Sequence, residues 1–142
     1  MLGRVMPLLL LTGTVAVAAS EGKETVAKVQ NAVRTILQRS EIQDTAKLLR
    51  GEAEMGNRIP RPGQADDLAN FLRETKTAFG GRDVTLDYWQ HPLVLEQEGR
   101  EVLVLLSLGA NGARDQCAKD NEMSPDGDDV CESIQVPRTA GQ

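Results

Sequence analysis

The sequence predicts an α+β fold in which one long N-terminal α-helix packs on a small antiparallel β-sheet, followed by an acidic C-terminal loop. Apolar residues with helical spacing run through the first third of the chain. Short strand-like apolar runs follow, and an aspartate-rich segment between two cysteines comes after them. Because a helix stripe and a sheet face each need an apolar partner, we expect the helix to cover the sheet. The 142 residues suffice for one such domain, placed at residues 20–136.

Residues 1–19 predict a targeting segment. Arg4 supplies a positive charge, Met6 to Leu11 is apolar, and Ala16-Val17-Ala18 matches the pattern of a signal-peptide cleavage site. Pro7 and Gly13 interrupt the segment too much for an ordinary transmembrane helix. The alternative is a retained apolar segment that associates with a membrane. Either reading predicts a protein that leaves the cytosol.

The next segment predicts one helix from about Lys23 to about Glu54, with a bend near Ser40. Gly56 and Asn57 are typical of a helix end. The apolar residues follow helical spacing and are therefore expected to be buried on the sheet. They are Val26, Val29, Val33, Ile36 and Leu37 before the bend, and Ile42, Ala46, Leu49 and Ala53 after it.

A second helix is predicted between Gln64 and Thr77, and strands are predicted after it. The helix has Leu68, Phe71 and Leu72 on its apolar face. The predicted strands are Val84–Trp89, Leu93–Leu95 and Val102–Leu106, the last two joined by a hairpin turn at Gln97-Glu98-Gly99-Arg100. The tail, residues 137–142, is expected to be disordered.

Composition argues against two classes of function. The net charge of -5, without a cluster of Lys and Arg, excludes a nucleic-acid partner. A Gly-x-Ser-x-Gly motif and a glycine-rich phosphate loop are both absent from the sequence. The single histidine, His91, is interpreted as a turn residue beside Trp89 rather than as a catalytic base. We therefore expect no catalytic residues and no enzyme.

The two cysteines enclose the most acidic part of the chain. Cys117 and Cys131 in an exported protein predict a disulfide rather than a redox or metal site. The aspartates between them fit two interpretations, a solvated loop tied by the disulfide or a cation site. An EF-hand is disfavoured because Glu122 stands at its first ligand position and Ser133 at its bidentate glutamate position. The aspartates are Asp120, Asp126, Asp128 and Asp129.

Four short motifs, in their order along the chain, resemble the major pseudopilins of type II secretion systems. The motifs are Asn57-Arg58-Ile59-Pro60, Asp87-Tyr88-Trp89-Gln90-His91-Pro92-Leu93, Ser107-Leu108-Gly109-Ala110-Asn111-Gly112 and Asp126-Gly127-Asp128-Asp129-Val130. The corresponding family patterns are G-R-Y-P, D-P-W-G-N-P and S-x-G-A-D-G, followed by an acidic loop. The resemblance covers Glu21 to Ile134. The chain departs from the family in its N-terminus, which lacks the basic leader and G-F-T-L-x-E pattern, and in Asn111, where the family has Asp. Its cysteine pair is similar to the C-terminal disulfide loop of type IV pilins.

The resemblance implies a structural subunit of a type II secretion or type IV pilus-like filament. Such a subunit assembles with copies of itself or with other pilin-like subunits. The resemblance also implies a location in the periplasm or at the cell surface, with a retained N-terminal segment associating with the bacterial inner membrane. The family's acidic loop binds calcium, which implies a site at Asn111, Asp126, Asp128 and Asp129, with main-chain oxygens near Leu108 and with Asp115 or Asp120 as substitutes. The alternative is a soluble periplasmic binding or adaptor module with a pilin-like fold.

Overall fold

The computed structural model confirms the α+β class. It describes residues 6–77, 80–117 and 128–137, with side chains described from residue 22 onwards. Within these ranges, no helix is both long and apolar enough to cross a membrane. The chain divides into two compact units, residues 1–33 and residues 34–142. The elements in order are α1 (Met6–Glu54), α2 (Ala65–Thr75), β1 (Val94–Gln97), β2 (Val102–Ser107) and β3 (Val130–Gln135).

The first unit is helical from Met6 onwards, so α1 begins well before the predicted start at Lys23. Its apolar side chains at Val26, Val29 and Val33 are 56%, 57% and 49% exposed. The expectation that the whole helix stripe is buried is therefore wrong for this unit. The first five residues of the predicted targeting segment lie outside the described residues.

In the second unit, only one face of α1 is buried. Ile36 and Leu37 are exposed, whereas Ile42 is 1% exposed. Leu37 and Ile42 are separated by about 140° around the helix axis, since each residue turns the helix by about 100°. Leu37 and Ile42 thus lie on different faces of the helix, and helical structure is uninterrupted at Ser40. The buried face consists of Gln38, Ile42, Thr45, Ala46, Leu49 and Ala53.

The core of the second unit lies between α1, α2 and the sheet. Apolar side chains from all five elements belong to one buried cluster. Two polar residues on the buried face of α1 have hydrogen-bond partners, because Gln38 Oε1 accepts from Tyr88 N at 2.9 Å and Thr45 Oγ1 donates to the Glu41 carbonyl at 2.8 Å. The cluster comprises Ile42, Ala46, Leu49, Leu68, Leu72, Leu93, Leu95, Leu103, Leu105, Val130 and Ile134.

The predicted C-terminal end of α1 and the predicted hairpin are confirmed. α1 ends with bonds from Gly56 N to the Ala53 carbonyl at 3.1 Å and from Asn57 N to the Glu52 carbonyl at 2.9 Å, which satisfy two of its terminal carbonyls. α2 buries Leu68 and Leu72 as predicted, although it ends at Thr75, two residues early. β1 and β2 form an antiparallel hairpin in which Leu95 pairs with Leu105.

The third strand differs from the predicted one. Val84–Trp89 is not a strand but a series of turns, in which Leu86 and Pro92 form an isolated bridge. The physical reason is Asp87, whose carboxylate Oδ1 accepts from the backbone N–H groups of Trp89 and His91 and so turns the chain. β3 takes the third place instead, with sheet order β1-β2-β3. It pairs antiparallel with β2, with Leu103 opposite Ile134.

Candidate metal centre

The second and third resemblance motifs form one buried hydrogen-bonded junction. Asp87 and Ser107 are both 0% exposed. Ser107, the last residue of β2, donates its hydroxyl hydrogen to Asp87 Oδ2 at 2.7 Å and accepts from Gly109 N at 3.2 Å. The Asp87 turn and the loop after β2 are therefore fixed to each other by a charged acceptor that has no access to solvent.

His91 lies at the same junction and contacts the loop's backbone. Its Nδ1 is 2.9 Å from the Gly109 carbonyl oxygen, a distance at which a ring N–H donates. A Cβ added to Gly112 would lie 2.7 Å from His91 Nε2, so the ring packs directly on that glycine. These contacts give His91 a structural place in the turn beside Trp89.

The same loop positions the residues that precede β3. Asp128 Oδ2 accepts from Asn111 N at 3.0 Å. Gly109 has φ 63°, a conformation that favours glycine, and an added Cβ would lie 2.4 Å from the Asp128 carbonyl oxygen. Gly109 thus permits a close approach that brings Asp128 against the loop.

Three carboxylates meet beside this contact. Asp115, Asp128 and Asp129 each offer one oxygen, and these atoms all lie within 4.8 Å of one another. Asp129 is 0% exposed. Asp128 Oδ1 and Asp129 Oδ1 are buried and have no hydrogen-bond partner among the described residues. A buried charged acceptor without a donor is costly, and the three carboxylates together form a group that could hold a metal ion.

The other oxygen of Asp129 has two donors. Its Oδ2 accepts from Asp115 N at 2.9 Å and from Arg114 Nη1 at 3.0 Å. Burial raises the pKa of Asp129, and the Asp115 N–H and the Arg114 guanidinium oppose that rise without cancelling it. The hydrogen bond to Glu96, and to a smaller extent that to Asp129, raises the pKa of Arg114. The charged form of Asp129 is therefore incompletely stabilised by the protein itself.

A disulfide joins the two ends of the acidic segment. Cys117 and Cys131 are bonded, with Cα atoms 5.6 Å apart. Cys117 also forms a parallel bridge with Asp129, beside the carboxylate cluster. The crosslink therefore ties the segment that contains Asp115 to β3, which starts directly after Asp129.

The residues of the predicted calcium site have different outcomes. Asp128 and Asp129 lie together, and Asp115, predicted as a substitute, joins them. Asn111 is adjacent, but its side-chain oxygen accepts from Ala113 N at 2.8 Å and its amide nitrogen donates to Asp115 Oδ2. Leu108 lies in the same loop, directly before Gly109. Asp120 and Asp126 lie outside the described residues.

Arg114 is the residue of this centre that the sequence interpretation missed. A single arginine directly before Asp115, three residues before Cys117 and the acidic segment that follows it, was the available signal. Its second partner could not be identified from spacing, because Glu96 lies on β1, 18 residues earlier.

Comparisons with known proteins do not assign the chain to a family. The chain matches no protein-family model, no curated protein and no solved structure. The resemblance to pseudopilins therefore stays a hypothesis that depends on the motifs and on their geometry.

Proposed function

We propose that this protein is a structural subunit of a pseudopilin-like assembly, of the type II secretion or type IV pilus kind. Its C-terminal loop binds calcium and is stapled by the disulfide. The observation on which the proposal depends is the exposed apolar series on α1. The partners are further copies of this chain or other pilin-like subunits.

The exposed residues have the spacing of a helix-packing seam. Val26, Val29 and Val33 are three and four residues apart, and each is about half exposed. A spacing that alternates three and four keeps apolar side chains on one side of a helix and is typical of helix–helix contacts. Ile36 and Leu37, at the start of the second unit, are 69% and 44% exposed. A neighbouring helix is the partner that would cover such residues.

The junction between the two loops supports the same proposal. Gln90 has φ 71°, a conformation that is unusual for a residue other than glycine. The pseudopilin pattern D-P-W-G-N-P has glycine at this place. Ser107, Gly109 and Gly112 of the loop motif likewise have specific contacts, with Asp87, Asp128 and His91 respectively. The motif residues therefore fit the backbone conformations and close contacts in which they are found.

The carboxylate cluster supports calcium as the ligand. Calcium prefers oxygen ligands and accepts six to eight of them in irregular geometry. Asp115, Asp128 and Asp129 supply carboxylates, and two buried oxygens among them have no donor in residues 6–77, 80–117 and 128–137. A bound cation would stabilise Asp129 in its charged form and so offset the cost of its burial.

Assembly is tested with charge substitutions in the exposed series. Val29→Glu and Val33→Glu place charges where a neighbouring helix would pack, and Met55→Glu is the control because Met55 is 67% exposed at the end of α1. Chemical cross-linking and sedimentation of the full chain should show oligomers for the unsubstituted protein and for Met55→Glu, and monomers for the two valine variants. A monomeric unsubstituted protein, together with N-terminal sequencing that finds cleavage after Ala18, would support the adaptor module instead.

Calcium binding is tested by thermal unfolding of the full chain. Calcium should raise the Tm, and EDTA should return it to the apo value, because a ligand that binds only the folded state stabilises that state. Magnesium is the control, since its stricter octahedral geometry fits an irregular loop poorly. A Tm that responds to neither calcium nor EDTA would refute the calcium site and leave the assembly proposal unaffected.

A further inference from the structure

We infer that Arg114 is the internal counter-ion of the carboxylate cluster and that its charge limits the affinity of the cluster for a divalent cation. The inference deepens the proposed calcium site and rests on it. We draw this inference from the contacts of Arg114, Asp129 and Glu96, and not from the resemblance to pseudopilins.

Arg114 contacts one oxygen of the Asp129 carboxylate, and the unpartnered oxygen is the other one of the same group. Arg114 Nη1 lies 3.0 Å from Asp129 Oδ2, and Asp115 N donates to that same oxygen at 2.9 Å. Asp129 Oδ1 is buried and has no donor within the part of the chain that the structure describes. A divalent ion bound at Oδ1 would therefore interact with a carboxylate whose other oxygen already contacts a full positive charge.

The guanidinium is fixed from its other side as well. Arg114 Nε lies 3.1 Å from Glu96 Oε1, and Nη2 lies 3.0 Å from Glu96 Oε2, a two-point contact that matches the planar shape of both groups. Nη1 also donates to the Asp115 carbonyl oxygen. These contacts hold the positive charge beside the cluster rather than leaving it free to move into solvent.

The charge balance gives the direction of the effect. Three carboxylates attract a divalent ion, and the Arg114 charge beside one of them opposes that attraction. The side chain of Arg114 is 43% exposed, so water screens the repulsion without abolishing it. Removing the charge should therefore strengthen cation binding. It should also destabilise the metal-free protein, because Asp129 then stays buried without its counter-charge.

The experiment compares two substitutions at one position. Arg114→Gln retains an N–H donor for Asp129 but has no charge, and Arg114→Lys retains the charge. Arg100→Gln changes net charge equally at an exposed residue of the β1–β2 turn and serves as the control. Calcium affinity is measured by titration calorimetry on the full chain, and apo stability by thermal unfolding in EDTA. Arg114→Gln should bind calcium about tenfold more tightly and melt at a lower temperature in EDTA. The other two variants should stay near the unsubstituted affinity.

Each combination of results decides between the two proposals. If the unsubstituted protein binds calcium and Arg114→Gln binds no more tightly, the counter-ion inference is wrong and the calcium site stands. If only Arg114→Gln binds, the calcium site of the natural chain is refuted, and Arg114 is shown to occupy the role of the cation. If neither protein binds, both proposals fail. A purely structural role for Arg114 would weaken stability and affinity together, the opposite of the expected result.

Discussion

Asp87 and Asp129 are both 0% exposed, yet their hydrogen-bond partners differ. Asp87 Oδ1 accepts from two backbone N–H groups, and its Oδ2 accepts from Ser107 Oγ. Among the described residues, Asp129 has two donors on Oδ2 and none on Oδ1. Burial alone therefore does not distinguish Asp129, the proposed cation ligand, from Asp87, whereas the set of hydrogen-bond donors does.

The two carboxylates also differ in how far along the sequence their supporting groups lie. The donors to Asp87 include the N–H groups two and four residues later, so the turn stabilises itself locally and only Ser107 is distant. The cluster at Asp129 depends on segments that are held together by the disulfide and by the close contact of Gly109 with Asp128. We conclude that the Asp87 turn is stabilised mainly by donors close to it in the sequence, whereas the Asp129 cluster is held by contacts between distant segments of the chain.

The largest effect is expected from Asp87→Ala. The substitution removes the acceptor for the part-buried N–H groups of Trp89 and His91 and for the buried hydroxyl of Ser107, which should lower the free energy of unfolding by about 4 kcal/mol. Urea unfolding in EDTA and in calcium measures the loss, which calcium should not restore. Asp66→Ala, at an exposed aspartate in the first turn of α2, is the control. A loss below about 1 kcal/mol would show that Asp87 does not stabilise its turn and the loop after β2 as proposed.

A smaller loss is expected when the disulfide is removed. Cys117 and Cys131 are 14 residues apart, and opening such a loop should cost about 3 kcal/mol in the chain-entropy model. The double variant Cys117→Ser, Cys131→Ser should also bind calcium more weakly, because Asp115 is no longer tied to β3. Urea unfolding and calorimetry measure the two effects. An unchanged calcium affinity in a folded double variant would show that the cluster does not depend on the crosslink.

The sequence was sufficient where a local pattern determines the structure. α2 and the β1–β2 hairpin follow from apolar spacing and from the turn at Gly99, since these signals lie within a few residues of one another. The strand predicted at Val84–Trp89 was wrong because its alternating apolar residues resemble a strand, while the side chain of Asp87 turns the backbone. The strand β3, which contains Val130 and Ile134, was missed because it begins directly after an acidic segment.

The site was predictable only in part for a similar reason. Asp128 and Asp129 were identified from their motif, and Asp115 was identified as a substitute. The participation of Arg114 depends on the pairing of β1 with β2, which brings Glu96 within reach of the loop after β2. Such a contact is a property of the folded sheet, so residue spacing along the chain gives no sign of it.

The smallest effect is expected from Asp129→Asn. Its effect on stability should have opposite signs in EDTA and in calcium. Burial raises the pKa of Asp129 in the folded state above the ordinary value of about 3.9. The folded protein therefore holds this proton more tightly than the unfolded chain does. In EDTA, the contribution of Asp129 to the free energy of unfolding should fall as the pH rises from about 4 through the raised pKa, and should then stay low.

Asp129→Asn removes this penalty, since an amide is neutral at every pH and still offers an oxygen to the Asp115 and Arg114 donors. At neutral pH in EDTA, the variant should be more stable than the unsubstituted protein by about 1 kcal/mol. In calcium the order should reverse, because only the carboxylate binds the ion strongly. Asp87→Asn, measured in parallel, should be less stable than the unsubstituted protein in both conditions, because both carboxylate oxygens of Asp87 accept hydrogen bonds and an amide offers only one oxygen. Equal behaviour of the two asparagine variants would remove the distinction between a structural carboxylate and a ligand.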